Sequence, residues 1–355
     1  MIQITPLIIT GVSSQLPLSI AGLGLVFLLY FSKKDLWLLL SAAFLVVFQA
    51  LIFNSWDDMK YGTVVSTILL VAIILALQRR RFGARVRSEV LEMFDSDLNK
   101  GQIITADNLQ HLPPIVQKWM VRSNVVGKPP VQTLCIKQNG LMRTKPNGKW
   151  LPFHAEQFIN VNNPGFVWTA SVNSGFLIPI NARDKYLHGH GNMLIKGLYT
   201  IPIANSSAPE IDQGTLMRFL AEIIWFPTAA FAKYIRWEYL SETTARATIE
   251  NGGISVSGVF SFNSNGDVKG FEGMRYREIN HHYELEKWII TIKRNRIFGG
   301  FRISDKCEVA WQGGSESFKW LEIELSKMRF NYGRQSAHST EENSADIPQQ
   351  NLELK

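Results

Sequence analysis

Four stretches of the chain supply carboxylates, guanidiniums and tyrosines that a fold could bring to one cavity. Glu156 and Gln157 end the run that begins at Trp150, and Arg183, Asp184 and Tyr186 follow the apolar run 176–180. Arg218 and Glu222 lie four apart ahead of Trp225, and Arg275 stands in Met274-Arg275-Tyr276-Arg277. Two carboxyls whose pKa values are pushed apart suit acid and base work in hydrolysis. Glu156, Asp184 and Glu222 are therefore the catalytic candidates, with Arg183, Arg218 or Arg275 to hold them. The same residue types also form buried ion pairs that fix a helix to a sheet, and this structural role is the favoured one. As a binding set, Gln157, Arg183, Tyr186, Arg218, Trp225 and Arg275 offer polar contacts beside an aromatic surface. No Gly-x-Ser-x-Gly elbow, Walker loop or dinucleotide fingerprint supports catalysis independently.

His188 and His190 share a strand face and can approach one metal with Asp184 or His154. The flanking glycines point instead to a tight exposed turn, and no metal or cofactor is expected. Cys135 and Cys307 are too few for a disulfide framework and read as buried free thiols. Trp150, Trp168, Trp225, Trp237, Trp288, Trp311 and Trp320 read first as core, and they would also line an apolar cavity. The formal charge is +7, with Arg79, Arg80, Arg81, Arg85 and Arg87 crowded just after an apolar run. That pattern orients a membrane protein, and no recognition helix or aromatic-basic motif argues for nucleic acid.

A strand-rich region beginning at Val131 must position these residues, and one helical stretch, 215–235, interrupts it. Leu216, Phe219, Leu220, Ile223 and Ile224 recur at helical spacing, Asp212 or Thr215 can cap the start, and Pro227 stops or kinks the helix. Around it, β-branched and aromatic runs alternate with turn pairs such as Asn139-Gly140, Asn147-Gly148, Gly252-Gly253 and Asn265-Gly266. Glu156 and Gln157 are successive, so on a strand only one of them points inward. Strands on both sides of one helix, without βαβ alternation, predict a mainly antiparallel α+β domain over residues 112–332. Its form is a curved sheet or partly open barrel packed on one central helix, with a sandwich as the alternative. The tail 333–355 is rich in Ser, Asn, Gln and Glu and is expected to be disordered.

Residues 1–78 predict an anchor of three transmembrane helices. Positions 1–32 carry no charged side chain, and apolar runs end at Phe31, span Leu36 to Phe53 and span Gly62 to Leu77. A signal peptide would open on basic residues, which this sequence lacks there. Lys33 and Lys34, then Asp57, Asp58 and Lys60, then the arginine cluster, separate these runs. The positive-inside rule then puts the N-terminus outside and the C-terminal domain in the cytoplasm, at the inner cell membrane. Residues 79–111 read as a basic juxtamembrane helix and linker, with Val86, Val90, Leu91, Phe94 and Leu98 at helical spacing. Arg79, Arg80 and Arg81 can rest on anionic lipid headgroups. Pro113 or Pro114 starts a second short helix with Ile115, Val116, Trp119 and Met120 on one side.

Several motifs recur in order: Leu112-Pro with Val116, Trp150-x-Pro-Phe-x-Ala-Glu-Gln, Pro164-Gly-Phe-x-Trp, Arg183-Asp-x-Tyr, Gly189-x-Gly-x-Met193 and Arg218-x-Leu-Ala-Glu-x-x-Trp-x-Pro-Thr-Ala. On these the chain from about Leu112 to Phe330 resembles an uncharacterised bacterial family of membrane-anchored domains of unknown function. The resemblance implies membrane association and lends no reaction. The leading expectation is a binding module for a lipid-like or other apolar small molecule. A membrane-anchored hydrolase using Glu156, Asp184 and Glu222 is the second, and a structural or assembly partner in the membrane is the third.

Overall fold

The structure, a computed structural model, describes residues 36–94, 101–175, 179–279, 282–313 and 316–331. The chain divides into two compact units, with the boundary between Phe82 and Gly83. In the first lie α1 (Leu36–Asn54), the one-turn α2 (Trp56–Met59) and most of α3 (Gly62–Met93). Leu38, Leu69 and Ile73 pack together. Leu39, Val46, Val47, Val64 and Ile68 are exposed, so these helices are apolar outside as well as inside. Of the described helices, α3 alone is long and apolar enough to cross a membrane. The second expected span, α1, is a shorter apolar helix, and the first lies outside the described residues.

In the second unit, α4 (Pro114–Arg122) precedes the strands β1 (Thr133–Met142), β2 (Leu151–Asn160), β3 (Gly165–Val172), β4 (Ile180–Leu187), β5 (His190–Gly197) and β6 (Ile201–Ser206). The helix α5 (Pro209–Glu222) follows. The chain then returns through β7 (Ile235–Ser241), β8 (Thr244–Asn251), β9 (Ile254–Phe262), β10 (Val268–Ile279), β11 (His282–Phe298), β12 (Phe301–Gly313) and β13 (Glu316–Phe330). The thirteen strands of the described residues form one antiparallel sheet, ordered β6-β5-β4-β3-β2-β1-β13-β12-β11-β10-β9-β8-β7. One sheet excludes the sandwich. Its two edges, β6 and β7, are the strands that flank α5, and the β4–β5 and β8–β9 turns touch through Gly189 and Gly252. The sheet therefore curls into a half-barrel around the helix.

The helix starts at Pro209, where a missing N–H costs no bond, rather than at Thr215. It stops at Glu222, before Pro227, because a residue preceding proline is steered out of helical geometry. Phe226 accordingly takes φ −138° and ψ 68°, and two 3-10 turns, Ile223–Trp225 and Pro227–Phe231, complete the stretch. Asn139 and Gly140, expected as a turn, lie inside β1, with Gly140 opposite Phe153. A side chain there would collide with the Phe153 ring, so this glycine serves close packing and no turn.

Alternation along the strands gives the sheet two apolar faces. Ile136, Phe153, Ile159, Phe166, Tyr186 and Phe260 on the concave side pack with Leu216, Phe219 and Leu220 of α5. Cys135, Phe158, Val167 and Leu187 on the convex side pack with Val90, Met93 and Phe94 of α3. The apolar stripe expected on a separate juxtamembrane helix thus belongs to the end of α3 and is docked on the sheet; Leu98 lies outside the described residues. Burying each such side chain stabilises by roughly 1.5–3 kcal/mol. The α4 face behaves as expected: Trp119 is buried, with its ring 6.0 Å from Phe260 and 6.2 Å from Trp237.

Candidate functional site on the concave face

Four-residue spacing puts Arg218 and Glu222 on one face of α5, and that face meets β1 to β4. Arg218 Nε donates to Glu222 Oε1 at 2.7 Å, and its Nη1 donates to Asp184 Oδ2 at 2.7 Å. Gln157 Nε2 donates to the other Glu222 oxygen at 2.6 Å. Gln138 Nε2 donates to Gln157 Oε1 at 2.9 Å, and Trp168 Nε1 donates to Gln138 Oε1 at 2.8 Å. The Arg218 guanidinium also lies over the Phe166 ring, 4.8 Å from its centre. A charged helix face is in this way tied to four strands through one connected polar chain. The arrangement ties α5 to the sheet.

Ionisation in this chain is set by burial against pairing. Burial works against the Arg218 charge, yet Glu222 and Asp184 outweigh it and hold its pKa above the ordinary arginine value. For Glu222 burial wins, and its pKa is raised despite Arg218 and the Gln157 amide. Arg275 on β10 faces the same interior. Burial pushes it down to about 10, with Asp184 and Glu222 pulling the other way.

Beyond Arg275 the concave wall carries alternating guanidiniums and aromatic rings. Arg275 lies 4.7 Å from the centre of the Trp288 ring and 5.7 Å from that of Trp311. Arg277 lies 5.8 Å from Trp311 and 5.2 Å from Phe318. Arg143 lies 5.4 Å from Phe318 and 4.7 Å from Trp150. The cross-strand pairs Trp288–Trp311 and Trp311–Phe318 set this order, because directly opposed residues share a face.

Several polar atoms on this side are buried without a hydrogen-bond partner: Asp184 Oδ1, Arg275 Nε, Trp225 Nε1 and Trp288 Nε1. Native interiors leave few such groups unpaired.

The expected site residues divide between the two faces. Gln157, Asp184, Arg218 and Glu222 converge, and Arg275 stands nearby. Glu156 lies on the convex side, 3.5 Å from Cys135 Sγ. Burial, aided by Glu156, pushes that thiol up to about 12. Arg183 is on the convex side as well, buried against α3, with Nε 3.3 Å from Glu89 Oε2 and Nη1 donating to the Asn192 carbonyl at 3.1 Å. Glu89 also meets Lys185 at 3.0 Å. Tyr186 is concave, but its hydroxyl donates to Asn251 Oδ1 at 2.9 Å, at the tip of the β8–β9 turn. Trp225 is buried beyond the end of α5. His188 and His190 part company, to Glu92 at 3.0 Å and to Asp212 at 3.3 Å. Among the described residues no cluster of metal-ligating side chains forms.

Sequence reasoning missed Gln138, Arg143 and Phe318, and gave Arg277 no role beside Arg275. Arg277 was within reach, since it shares a strand face with Arg275. Arg143 follows the end of β1, where no periodic pattern marks it.

The model of a family of unknown function, DUF6544, matches residues 102–323, and the chain belongs to that family. No curated protein sequence matches it. Among solved structures, a LolA superfamily protein from Nitrosomonas europaea is similar, with 9% identity and a TM-score of 0.35, covering 64% of this chain and 93% of that one. A DUF1329 family protein from Desulfovibrio piger is similar with 12% identity and a TM-score of 0.31, covering 62% of this chain and 94% of that one.

Proposed function

We propose that this member of DUF6544 is a membrane-tethered binding module that takes a lipid-like or other apolar molecule on the concave face of its sheet, beside α5. The observation that carries this reading is unused hydrogen-bonding capacity against an aromatic wall. Asp184 Oδ1, Arg275 Nε and Trp288 Nε1 are buried without protein partners on the concave side, and the Trp288, Trp311 and Phe318 rings line the wall beside Arg275. Sites for small molecules combine such an apolar lining with a few convergent polar groups. The tether is the N-terminal anchor of three spans, with the N-terminus outside, the domain in the cytoplasm, and Arg79, Arg80 and Arg81 against anionic headgroups. The exposed apolar side chains of α1 and α3 support it. A hydrolase has less support: Glu156 is on the other face, and both Asp184 and Glu222 are committed to Arg218.

Organic extraction of the purified full chain, followed by mass spectrometry, tests the binding reading. A co-purifying amphiphile that competes with an added apolar probe is the expected result. No extracted molecule, together with no saturable binding of apolar probes, overturns it. For orientation, a reporter that works only in the cytoplasm should be active when fused after Lys355, and activity there of only an exterior reporter overturns the orientation.

A further inference from the structure

We infer that Arg143, Arg277 and Arg275, interleaved with Phe318, Trp311 and Trp288, form the subsite for an oxyanion head, phosphate or carboxylate, on the molecule held at the concave face. The inference rests on the binding reading above and adds the chemical class of the ligand. Three observations lead to it. First, the strip is out of charge balance. Arg277 Nη1 is met by Glu286 Oε2 at 3.0 Å, whereas neither Arg143 nor Arg275 makes an ion pair among the described residues. Second, the two unmatched cations are not free in water. Arg143 and Arg275 are both partly buried; Arg143 is packed on Trp150 and Phe318 and donates from Nε to the Lys319 carbonyl at 2.7 Å. Arg275 is packed on Trp288, and its Nε is buried without a partner beside Gly214 of α5. A half-buried cation with no ion-pair partner in contact is costly, and an anion at the strip offsets that cost. Third, the guanidiniums are held 4.7–5.8 Å from aromatic ring centres. A guanidinium in contact with a ring can still donate its Nη N–H groups to carboxylate or phosphate oxygens. The intervening rings offer apolar surface to the chain that such a head would carry.

Isothermal calorimetry on the full chain in neutral maltoside micelles, with protein-free micelles as the blank, tests the subsite using decyl phosphate, decanoate, decanol and inorganic phosphate. The expected result is that decyl phosphate or decanoate binds more tightly than decanol. Arg143→Gln and Arg275→Gln should each weaken the anionic probe by about tenfold, the loss of one charge-assisted hydrogen bond, and leave decanol unchanged. Arg143 lies away from α5, so R143Q serves if R275Q fails to fold, with circular dichroism checking both. Equal binding of decanol and the anionic probes to the wild type overturns the subsite and leaves the apolar-ligand reading standing. Binding of none of the four probes overturns both. Inorganic phosphate binding as tightly as decyl phosphate, and lost in R143Q, overturns the amphiphile and assigns the strip to a soluble anion.

Discussion

Gly189 and Gly252 lie against each other where the β4–β5 and β8–β9 turns cross, so that a methyl group on Gly189 would stand 2.8 Å from the Gly252 Cα. Both have left-handed backbones, with φ of 86° and 59°. Beside them Tyr186 reaches across to Asn251, and the two contacts latch opposite halves of the half-barrel.

Replacing Gly252 by alanine adds a collision and a left-handed strain of about 1–2 kcal/mol for any L side chain. G252A should therefore destabilise the domain by at least that amount. Y186F, which loses one hydrogen bond and no volume, should cost roughly 1 kcal/mol. Denaturant unfolding of the full chain in detergent measures both. A G252A protein as stable as wild type would show that the turns do not meet.

Arg218 offers a larger effect. R218M leaves Asp184 and Glu222 facing each other in the interior with no cation between them. Breaking a buried ion pair on one side costs about 3–5 kcal/mol. The variant should unfold far more readily than wild type, and a loss below about 1 kcal/mol, the scale of an exposed pair, would mean that the network does not pin α5.

The pH dependence of Glu222 has a definite sign. Burial, the largest influence, raises its pKa above the ordinary value of 4.5. Folding then favours the protonated carboxyl, so its contribution to stability is complete below about pH 4.5 and is lost as pH rises through the raised value. E222Q cannot titrate there. The stability advantage of wild type over E222Q should accordingly be greatest in acid and narrow toward neutral pH, as denaturant titrations across a pH series would read. An advantage that widens with pH contradicts this.

On the convex face, Glu89 holds Arg183, which is 1% exposed, and Lys185. E89A strands the buried guanidinium, at a cost of about 3–5 kcal/mol to the docked state. Amide exchange over residues 83–94 should rise in E89A while β9 and β10 remain protected. Unchanged exchange there would count against the docking.

Period two made the split between Glu156 and Gln157 legible in the sequence, and spacing of four placed Arg218 with Glu222. The convergence of Asp184 with Arg218 was no more than an option, because register across β3 and β4 decides it and no local signal fixes register. Arg183 misled for the same reason: its neighbour Asp184 points inward, so Arg183 must point outward. Its partner is Glu89, on a helix that reads in isolation as a basic surface segment. Asn139-Gly140 has the chemistry of a turn, yet packing against Phe153 explains the glycine equally well, and only the pairing partner distinguishes them. Trp150, Trp288 and Trp311 were legible as a possible cavity lining, but not as one strip with Phe318 and the interleaved arginines, because its members come from different strands and the end of β1 and are contiguous only once the strands pair.

The order of the strands also says something about how the protein is made. Each half of the sheet is a succession of neighbouring hairpins, while the seam between the halves joins Leu134 of β1 to Phe330 of β13. Local hairpins close quickly, and contacts between distant parts of a chain are the slow ones. On the ribosome the first meander waits with the β1 edge unpaired until the last strand emerges, and that edge is exposed to other chains meanwhile. A chain truncated ahead of β13 never closes the seam, and its fate is aggregation or proteolysis rather than partial activity.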